Sequence, residues 1–490
     1  MRNYTGHYKA LASLGVPIII GQLGTIILGF ADTLMIGHHS TSELAAAAFV
    51  NSIFMLGIIF SLGFSYGTTP IVGNLYGRGE TAKIGAEMKN AVLSNTVTAI
   101  LICLAMTVFY FNLGNIGQPE ELLPLIRPYF IVNLLSLPFV SWFNVMKQMY
   151  DGITDTRTPM WILIMGNVLN VTGNFLLIYG KLGLPEMGLL GAGIATLLSR
   201  VIMALVAGIM FFRPRYADYR RGFIAGRLNR ADFIRQNKLG WPLAMQMGTE
   251  TASFSLSGIM VGWLGANALA AHQVVITVSQ LFYMVYLGMA AAVSVRVSYF
   301  FGQGDYDSAN RSAVAGFRMI LCIAMCISLP VIFFHADIGR LFTDNEEVLR
   351  LMATCIAPLI IYQFGDGLQY TYANALRGTT NVRPLMFIAI LAYFVISLPL
   401  GYLFGIRLGG GLAGIWYAFP FGLTSAGILY YVFFKRTLAS QPPSNPPKGE
   451  EPIECHGDVL ICYYYLAIYI GVIETDKGVI GIMGNRSNRK

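Results

Sequence analysis

Twelve apolar segments, each long enough to cross a lipid bilayer, constrain this chain more than any other feature of its sequence. A membrane-spanning helix needs about 20 largely apolar residues. The candidate spans cover approximately residues 11–36, 44–72, 85–112, 123–147, 158–180, 188–212, 237–264, 268–300, 313–335, 347–375, 384–406 and 411–434. Because a lipid-exposed backbone must satisfy its own hydrogen bonds, each segment is expected to be an α-helix. The sequence therefore predicts an all-α polytopic membrane protein.

The composition agrees with this class. The 490 residues are 55% hydrophobic and 12% charged, with a mean hydropathy of +0.60, whereas soluble domains carry about 25% charged residues. The net charge of +8 comes from basic clusters between the apolar segments. Such clusters indicate membrane topology, so we expect a lipid bilayer as partner and no nucleic acid.

The basic clusters occupy every second loop and predict the orientation. Eight Lys and Arg residues lie in 213–238, and others follow the second, fourth, eighth, tenth and twelfth spans. The alternate loops, such as "HHSTSE" and "TDNEE", contain fewer. Since basic loops stay on the cytoplasmic side, both termini are predicted to be cytoplasmic, with the chain in the inner (plasma) membrane.

The two halves of the chain repeat each other at one constant offset in the numbering, the repeat offset. "LGVP" at 14–17 matches "LGWP" at 239–242, Gly37 matches Gly262, and "GRGE" at 77–80 matches "GQGD" at 302–305. A six-helix repeat enters the membrane from the same side each time, which makes it a parallel repeat about an axis along the membrane normal. The predicted domains are an N-lobe at 1–212, a cytoplasmic linker at 213–236, a C-lobe at 237–436 and a tail at 437–490.

Three carboxylates, Asp32, Glu250 and Asp366, lie inside predicted spans. A charge at the bilayer centre costs roughly 2.5–3.5 kcal/mol on insertion scales. We expect no Lys or Arg mid-span to pair with them. Each belongs to a stripe of neighbours that follow one another every three or four residues along the same helix face. These neighbours are Gln22, Thr25 and Gly29 for Asp32, Gln246, Ser253 and Ser257 for Glu250, and Tyr362, Tyr370 and Asn374 for Asp366. The carboxylates are therefore predicted to face protein or a water-filled cavity and to take up a mobile cation.

The fifth span adds Asn167, Asn170 and Asn174 on one helix face. Amide oxygens beside a carboxylate suit a hard monovalent cation or a proton relay. The alternative is that the asparagines only stabilise helix–helix contacts. The sequence leaves both interpretations of the asparagines open.

At these residues the chain resembles the multidrug and toxic compound extrusion (MATE) family, in its NorM-like branch. The stretches that carry the resemblance are "LGVPIIIGQLGTIILGFADTLMIGH", "PIVGNLYGRGE", "GWLGANALAAHQV" and "YQFGDGLQYTYANALRGT". The resemblance covers about 8–436 and implies twelve transmembrane helices in two pseudo-symmetric six-helix lobes around a V-shaped cavity, as in MOP flippases. It also implies export of cationic amphiphiles in exchange for inward Na⁺ or H⁺.

The resemblance further implies which residues form the sites. Asp32 would be the cation carboxylate of the N-lobe, with Na⁺ as one candidate ion, and Glu250 with Asp366 would bind a cation or the substrate in the C-lobe. Asn170, Asn174 and Thr196 would join the N-lobe site, and Tyr286 and Tyr362 the C-lobe site. We expect small organic cations as substrates, a monomer, and no cofactor besides the coupling ion.

Two other classes of protein share some of these features. A lipid-linked oligosaccharide or lipid flippase would share the architecture. Its cavity is expected to be basic, whereas the ionisable residues predicted mid-span in this chain are acidic. An intramembrane aspartyl protease would resemble a Gly-x-Gly-Asp pattern, yet Gln363 stands three residues before Asp366. With no zinc-protease or ATP-binding motif either, we expect no enzyme activity.

Overall fold

The computed structural model describes residues 4–115, 117 and 119–441, and this part of the chain is helical, without strands. The predicted tail, 437–490, lies outside the described residues from 442 onward. The α-helices are α1 (Thr5–His39), α2 (Thr41–Ser65), α3 (Thr68–Gly77), α4 (Thr81–Phe111), α5 (Leu123–Gly152), α6 (Arg157–Ile178), α7 (Gly188–Phe211), α8 (Ala217–Ala225), α9 (Arg230–Gly262), α10 (Ala266–Gln303), α11 (Tyr306–Arg340), α12 (Glu346–Thr354), α13 (Ile356–Gly378), α14 (Arg383–Ile390), α15 (Leu398–Gly401) and α16 (Gly411–Ala439).

Each of the twelve predicted spans falls on one of these helices or on a run of consecutive ones. Among the described residues, ten segments are long and apolar enough to cross a membrane, and α12 with α13, bent by 45°, makes an eleventh when the pair is counted as one span. The remaining predicted span, 237–264, falls on α9, whose 33 residues include a polar first turn and the polar residues around Glu250. Polar residues inside a predicted span are expected to face protein or a water-filled cavity and not lipid.

Several helices are interrupted within the predicted spans. Tyr66 and Gly67 separate α2 from α3. Two π-helical turns, Leu391–Ser397 and Tyr402–Arg407, flank α15. Such turns often mark functional positions in a helix. The predicted linker 213–236 contains α8 and the first turns of α9.

The first and second halves of the chain each pack as a helical group and also contact each other. Within the first half, α5 and α6 pack against α7, and within the second, α13 packs against α10 and α16. Between the halves, α1 and α3 contact α10, and α2 contacts α9. The described residues thereby form one compact unit.

Residues that are equivalent in the sequence repeat make equivalent contacts between the halves. A Cβ atom on Gly63 would lie 2.8 Å from the Cα of Ala244, and one on Gly288 would lie 2.9 Å from the backbone nitrogen of Ile19. Gly288 is the repeat counterpart of Gly63, and Ala244 is the counterpart of Ile19 at the same offset. The two contacts are therefore exchanged by the repeat, as in a two-fold symmetric interface.

A second pair of contacts repeats this relationship at the end of the same helices. Gly77 packs against the carbonyl of Tyr299, and Gly302 packs against the carbonyl of Asn74, both too closely for a side chain. These four positions again match at the repeat offset. The predicted pseudo-symmetry of the two six-helix halves is confirmed.

The close contacts between the halves lie at the predicted cytoplasmic end of the bundle. Gly77 and Gly302 immediately precede the loops that join α3 to α4 and α10 to α11. Toward the opposite end, α1 contacts α6 of its own half through Asp32, while Ile27 and Phe30 are exposed. The structure thus describes a form in which the halves meet at the end that carries the basic loops.

Candidate functional site

The four polar residues predicted for the N-lobe site lie in one hydrogen-bonded chain. Asn174 Nδ2 donates to Asp32 Oδ1 at 2.5 Å and to Asn170 Oδ1 at 3.1 Å. Asn170 Nδ2 donates in turn to Thr196 Oγ1 at 3.0 Å. The chain links α1, α6 and α7, so three helices fix the position of the Asp32 carboxylate.

This cluster retains a buried oxygen atom that no described protein group satisfies. Asn174 is fully buried, and its Oδ1 has no hydrogen-bond partner. Asp32 is half-buried, and only a neutral amide donates to its Oδ1. Asn167, the third asparagine of the stripe, instead approaches Gly24 of α1. Carboxylate, amide and hydroxyl oxygens together suit a hard monovalent cation.

Arg200 was missed by the sequence analysis and corrects the expectation that no basic residue lies mid-span. It follows Thr196 by one helical turn on α7 and donates from Nη1 to Ser136 Oγ at 2.6 Å. It also interacts electrostatically with Asp32, although the two residues form no ion pair. Its position in the middle of the predicted span 188–212 was the signal that could have revealed it.

The C-lobe carboxylates lie within reach of each other's charge. Tyr370 donates its hydroxyl proton to Glu250 Oε1 at 2.8 Å. Asp366 is 1% exposed, and neither of its oxygens has a hydrogen-bond partner. Asp366 interacts electrostatically with Glu250. Two acids that share a buried space, with one of them unsatisfied, form a site that favours a positive ligand.

The predicted tyrosines adjoin this acidic pair, together with two that the sequence analysis missed. The hydroxyl of Tyr286 is buried without a partner, and both Tyr286 and Tyr362 interact electrostatically with Asp366. Tyr283 packs edge-on against Tyr370, with ring centroids 5.2 Å apart. The other missed tyrosine, Tyr393, exchanges hydrogen bonds with Gln369 and lies in a π-helical turn. Tyr283 precedes Tyr286 by three residues, a spacing that would have indicated it.

Two basic residues that were expected to flank loops are buried. Arg377 is 5% exposed, and its guanidinium lies over the Tyr66 ring, 4.4 Å from the ring centroid, across the boundary between the halves. Lys147 pairs with Asp151 at 2.6 Å inside the bundle. Arg377 also interacts electrostatically with Glu250. Basic charges therefore lie closer to the acidic clusters than predicted, but none pairs with Asp32, Glu250 or Asp366 in the described residues.

Comparison with known proteins finds relatives that agree with the family resemblance of the sequence. The family model MatE matches residues 17–176 and 242–403. The chain is 30% identical over 434 residues to the multidrug resistance protein NorM of Aliivibrio fischeri (strain ATCC 700601 / ES114), covering 88% of this chain and 94% of that protein.

Solved structures show the same fold. An outward-facing multidrug resistance MATE family transporter of the MOP superfamily superposes with a TM-score of 0.81 at 18% identity, over 88% of this chain and 96% of that one. A MATE protein in complex with MaL6 superposes with a TM-score of 0.78 at 20% identity and equal coverage. The two family-model matches begin at positions 17 and 242, which are related by the repeat offset.

Proposed function

Because this chain belongs to the MatE family of membrane transporters, we propose that it exports cationic amphiphilic compounds in exchange for inward Na⁺ or H⁺. The resemblance inferred from the sequence is confirmed by the matches over both halves. The chain is accordingly a multi-pass membrane protein with the MATE fold. The coupling ion, the substrate class, the inner-membrane location and the cytoplasmic termini are part of the proposal. That the chain acts as a monomer, without a cofactor or an enzymatic step, stays a prediction.

The observation that carries the proposal is the state of the three intramembrane carboxylates. Asp32 receives a hydrogen bond only from a neutral amide, Glu250 receives one from a tyrosine, and the oxygens of Asp366 have no partner in the described residues. A buried carboxylate without a basic partner is costly unless a cation or proton compensates it. A mobile ion that binds on one side of the membrane and leaves on the other supplies that compensation.

Two clusters in separate halves allow ion and substrate to act without touching. A carrier that alternates between two forms exports a compound when the ion favours the form open to the outside. The described form, in which the halves meet at the predicted cytoplasmic end, fits that outward-open form. One positive charge that moves inward at 100 mV supplies about 2.3 kcal/mol.

The C-lobe cluster fits an organic cation as well as an inorganic one. Tyr362 packs edge-on against Phe254, Trp416 and Phe419 beside Asp366. Aromatic faces attract cations by about 0.5–2 kcal/mol, and acids supply the opposite charge. Both clusters are acidic, which favours cationic substrates over the pyrophosphate-linked lipids that the alternative flippase would carry.

Transport by purified protein in proteoliposomes tests the proposal. Ethidium, a cationic amphiphile, is the substrate, and Na⁺ and H⁺ gradients are imposed separately. We expect Asp32→Asn and Glu250→Gln to abolish transport driven by one of the two gradients. Asp344→Asn, which neutralises an exposed loop carboxylate, is the matched control and should transport normally. Unchanged gradient-driven transport in both site variants would refute the coupling roles.

A further inference from the structure

A cavity of about 540 Å³ lies between the two halves at the end where they meet. It falls within the roughly 300–1,000 Å³ typical of small-molecule sites. The first half contributes α3, and the second half contributes the start of α9, the end of α10 and the loop before α14. The residues that matter here are Asn74, Arg78, Arg235, Lys238, Phe301 and Arg383.

The charge of this cavity is positive. Among the described residues, four basic side chains line it and no Asp or Glu does. Arg235 forms ion pairs with Glu87 and Asp232, but Arg78, Lys238 and Arg383 form none among the described residues. Glu80, two residues from Arg78, forms its ion pair with Lys83 at 2.7 Å and interacts with Arg78 only electrostatically. Three cations from separate elements thus converge on one space.

Comparison of the two halves shows that an acid is missing from the cavity loop. Thr380, at its turn, has a left-handed φ of 65°, and its counterpart by backbone conformation is Thr154 of the first half, with a φ of 67°, one position away from the repeat offset. The residue after Thr154 is Asp155, which interacts with Arg215 at 3.5 Å. The residue after Thr380 is Asn381, whose Nδ2 donates to Thr437. The second-half loop therefore has an amide where its counterpart supplies a carboxylate.

Topology alone explains basic loops at this end of the bundle. It does not explain why three unpaired cations surround a single cavity, nor why its walls contain no acid. Arg and Lys are the residues that bind phosphate oxygens, Arg in bidentate geometry and Lys as a point charge. Basic pockets between transmembrane helices on the cytoplasmic side bind anionic lipid head groups.

We propose that this cavity binds a phosphate group and that the bound phosphate bridges the two halves. Arg78 supplies charge from the first half, and Lys238 and Arg383 supply it from the second. Because both halves contribute, an occupied site favours the form in which they meet here. The phosphate is carried either by the head group of an anionic lipid such as phosphatidylglycerol or by a soluble anion.

Thermal unfolding of the purified full-length protein in detergent tests this site. Dioleoyl-phosphatidylglycerol, dioleoyl-phosphatidylcholine and inorganic phosphate are titrated separately. We expect either phosphatidylglycerol or inorganic phosphate to raise the melting temperature saturably. Phosphatidylcholine is the neutral comparison. Arg78→Gln and Lys238→Gln should each weaken the apparent affinity by about threefold, which corresponds to the typical strength of an exposed charge pair. The double variant should weaken it by about tenfold.

The control is Arg213→Gln combined with Arg227→Gln, which removes two exposed basic residues outside the cavity. This control should respond as the wild type does. A response to phosphatidylglycerol alone identifies the lipid as the source, and an equal response to inorganic phosphate identifies a soluble anion. Identical responses of the cavity variants and the control would overturn the site. A loss confined to Lys238→Gln would overturn the bridge between the halves.

Discussion

Gly73 of α3 and Ser298 of α10 are equivalent positions of the internal repeat, and they contact each other directly. A Cβ atom on Gly73 would lie 2.8 Å from the Cβ of Ser298. A residue that touches its own repeat counterpart lies on the symmetry axis. The pseudo-two-fold axis therefore passes between these two positions, where there is room for only one side chain.

Exchanging the two residues tests this axis. Gly73→Ser alone places two side chains in the space of one, and we expect a loss of about 1–3 kcal/mol in unfolding free energy from overpacking. Adding Ser298→Gly to that variant should restore stability, because the pseudo-symmetry offers the new side chain the vacated space. Thermal unfolding in detergent measures both. A double variant no more stable than Gly73→Ser would contradict this placement of the axis.

Much of the fold followed from the sequence, since apolar length and constant repeat spacing are properties of single segments. The polar stripe of α6 likewise predicted the helix face on which Asn170 and Asn174 are buried. Arg200 and Arg377 escaped prediction because each span was considered alone, with basic residues assigned to loops or helix ends. Their burial depends on partners in other helices, namely Ser136 for Arg200 and Tyr66 for Arg377.

Asn174 connects Asp32 to the rest of its cluster, and removing its amide should weaken coupling. We expect Asn174→Ala to raise the cation concentration for half-maximal ethidium transport by about tenfold, since a hydrogen bond to a charged group is worth about 1.5–3 kcal/mol. Asn167→Ala, on the same helix but outside the hydrogen-bonded chain, is the matched control. Equal cation dependence in the two variants would exclude Asn174 from the ion site.

Arg200 should act on the same site with the opposite sign. Its positive charge competes with a cation for the field of Asp32, so Arg200→Gln is expected to strengthen cation binding by about fivefold, roughly 1 kcal/mol. Ser136→Ala removes the hydrogen bond that Arg200 makes without changing the charge. The cation dependence of transport in proteoliposomes distinguishes the effect of the Arg200 charge from the effect of its hydrogen bond. A weaker response to cation in Arg200→Gln would show that Arg200 helps to hold the ion.

The hydroxyl of Tyr370 should tune the C-lobe acids. It donates to Glu250 at 2.8 Å, so Tyr370→Phe leaves that carboxylate short of a donor in a buried site. We expect the loss of about 1.5–3 kcal/mol to appear as a higher half-saturating ethidium concentration or as altered ion dependence. Tyr372→Phe, on the same helix, is the comparison. Indistinguishable transport by the two variants would mean that the hydroxyl has no role at the site.

Arg377 and Tyr66 join the halves at the predicted cytoplasmic end. The contact depends on the aromatic face of Tyr66. The guanidinium lies 4.4 Å from the Tyr66 ring centroid, and such a contact is worth about 0.5–2 kcal/mol. Tyr66→Leu should therefore open this end more often, whereas Tyr66→Phe keeps the ring and should not. A single cysteine at Ser294, introduced after the six native cysteines are replaced, lines the small cavity between these residues and reports the opening through its reaction with an impermeant maleimide applied from the cytoplasmic side. We expect about fivefold faster labelling in Tyr66→Leu; equal rates in both variants would show that other contacts close this end.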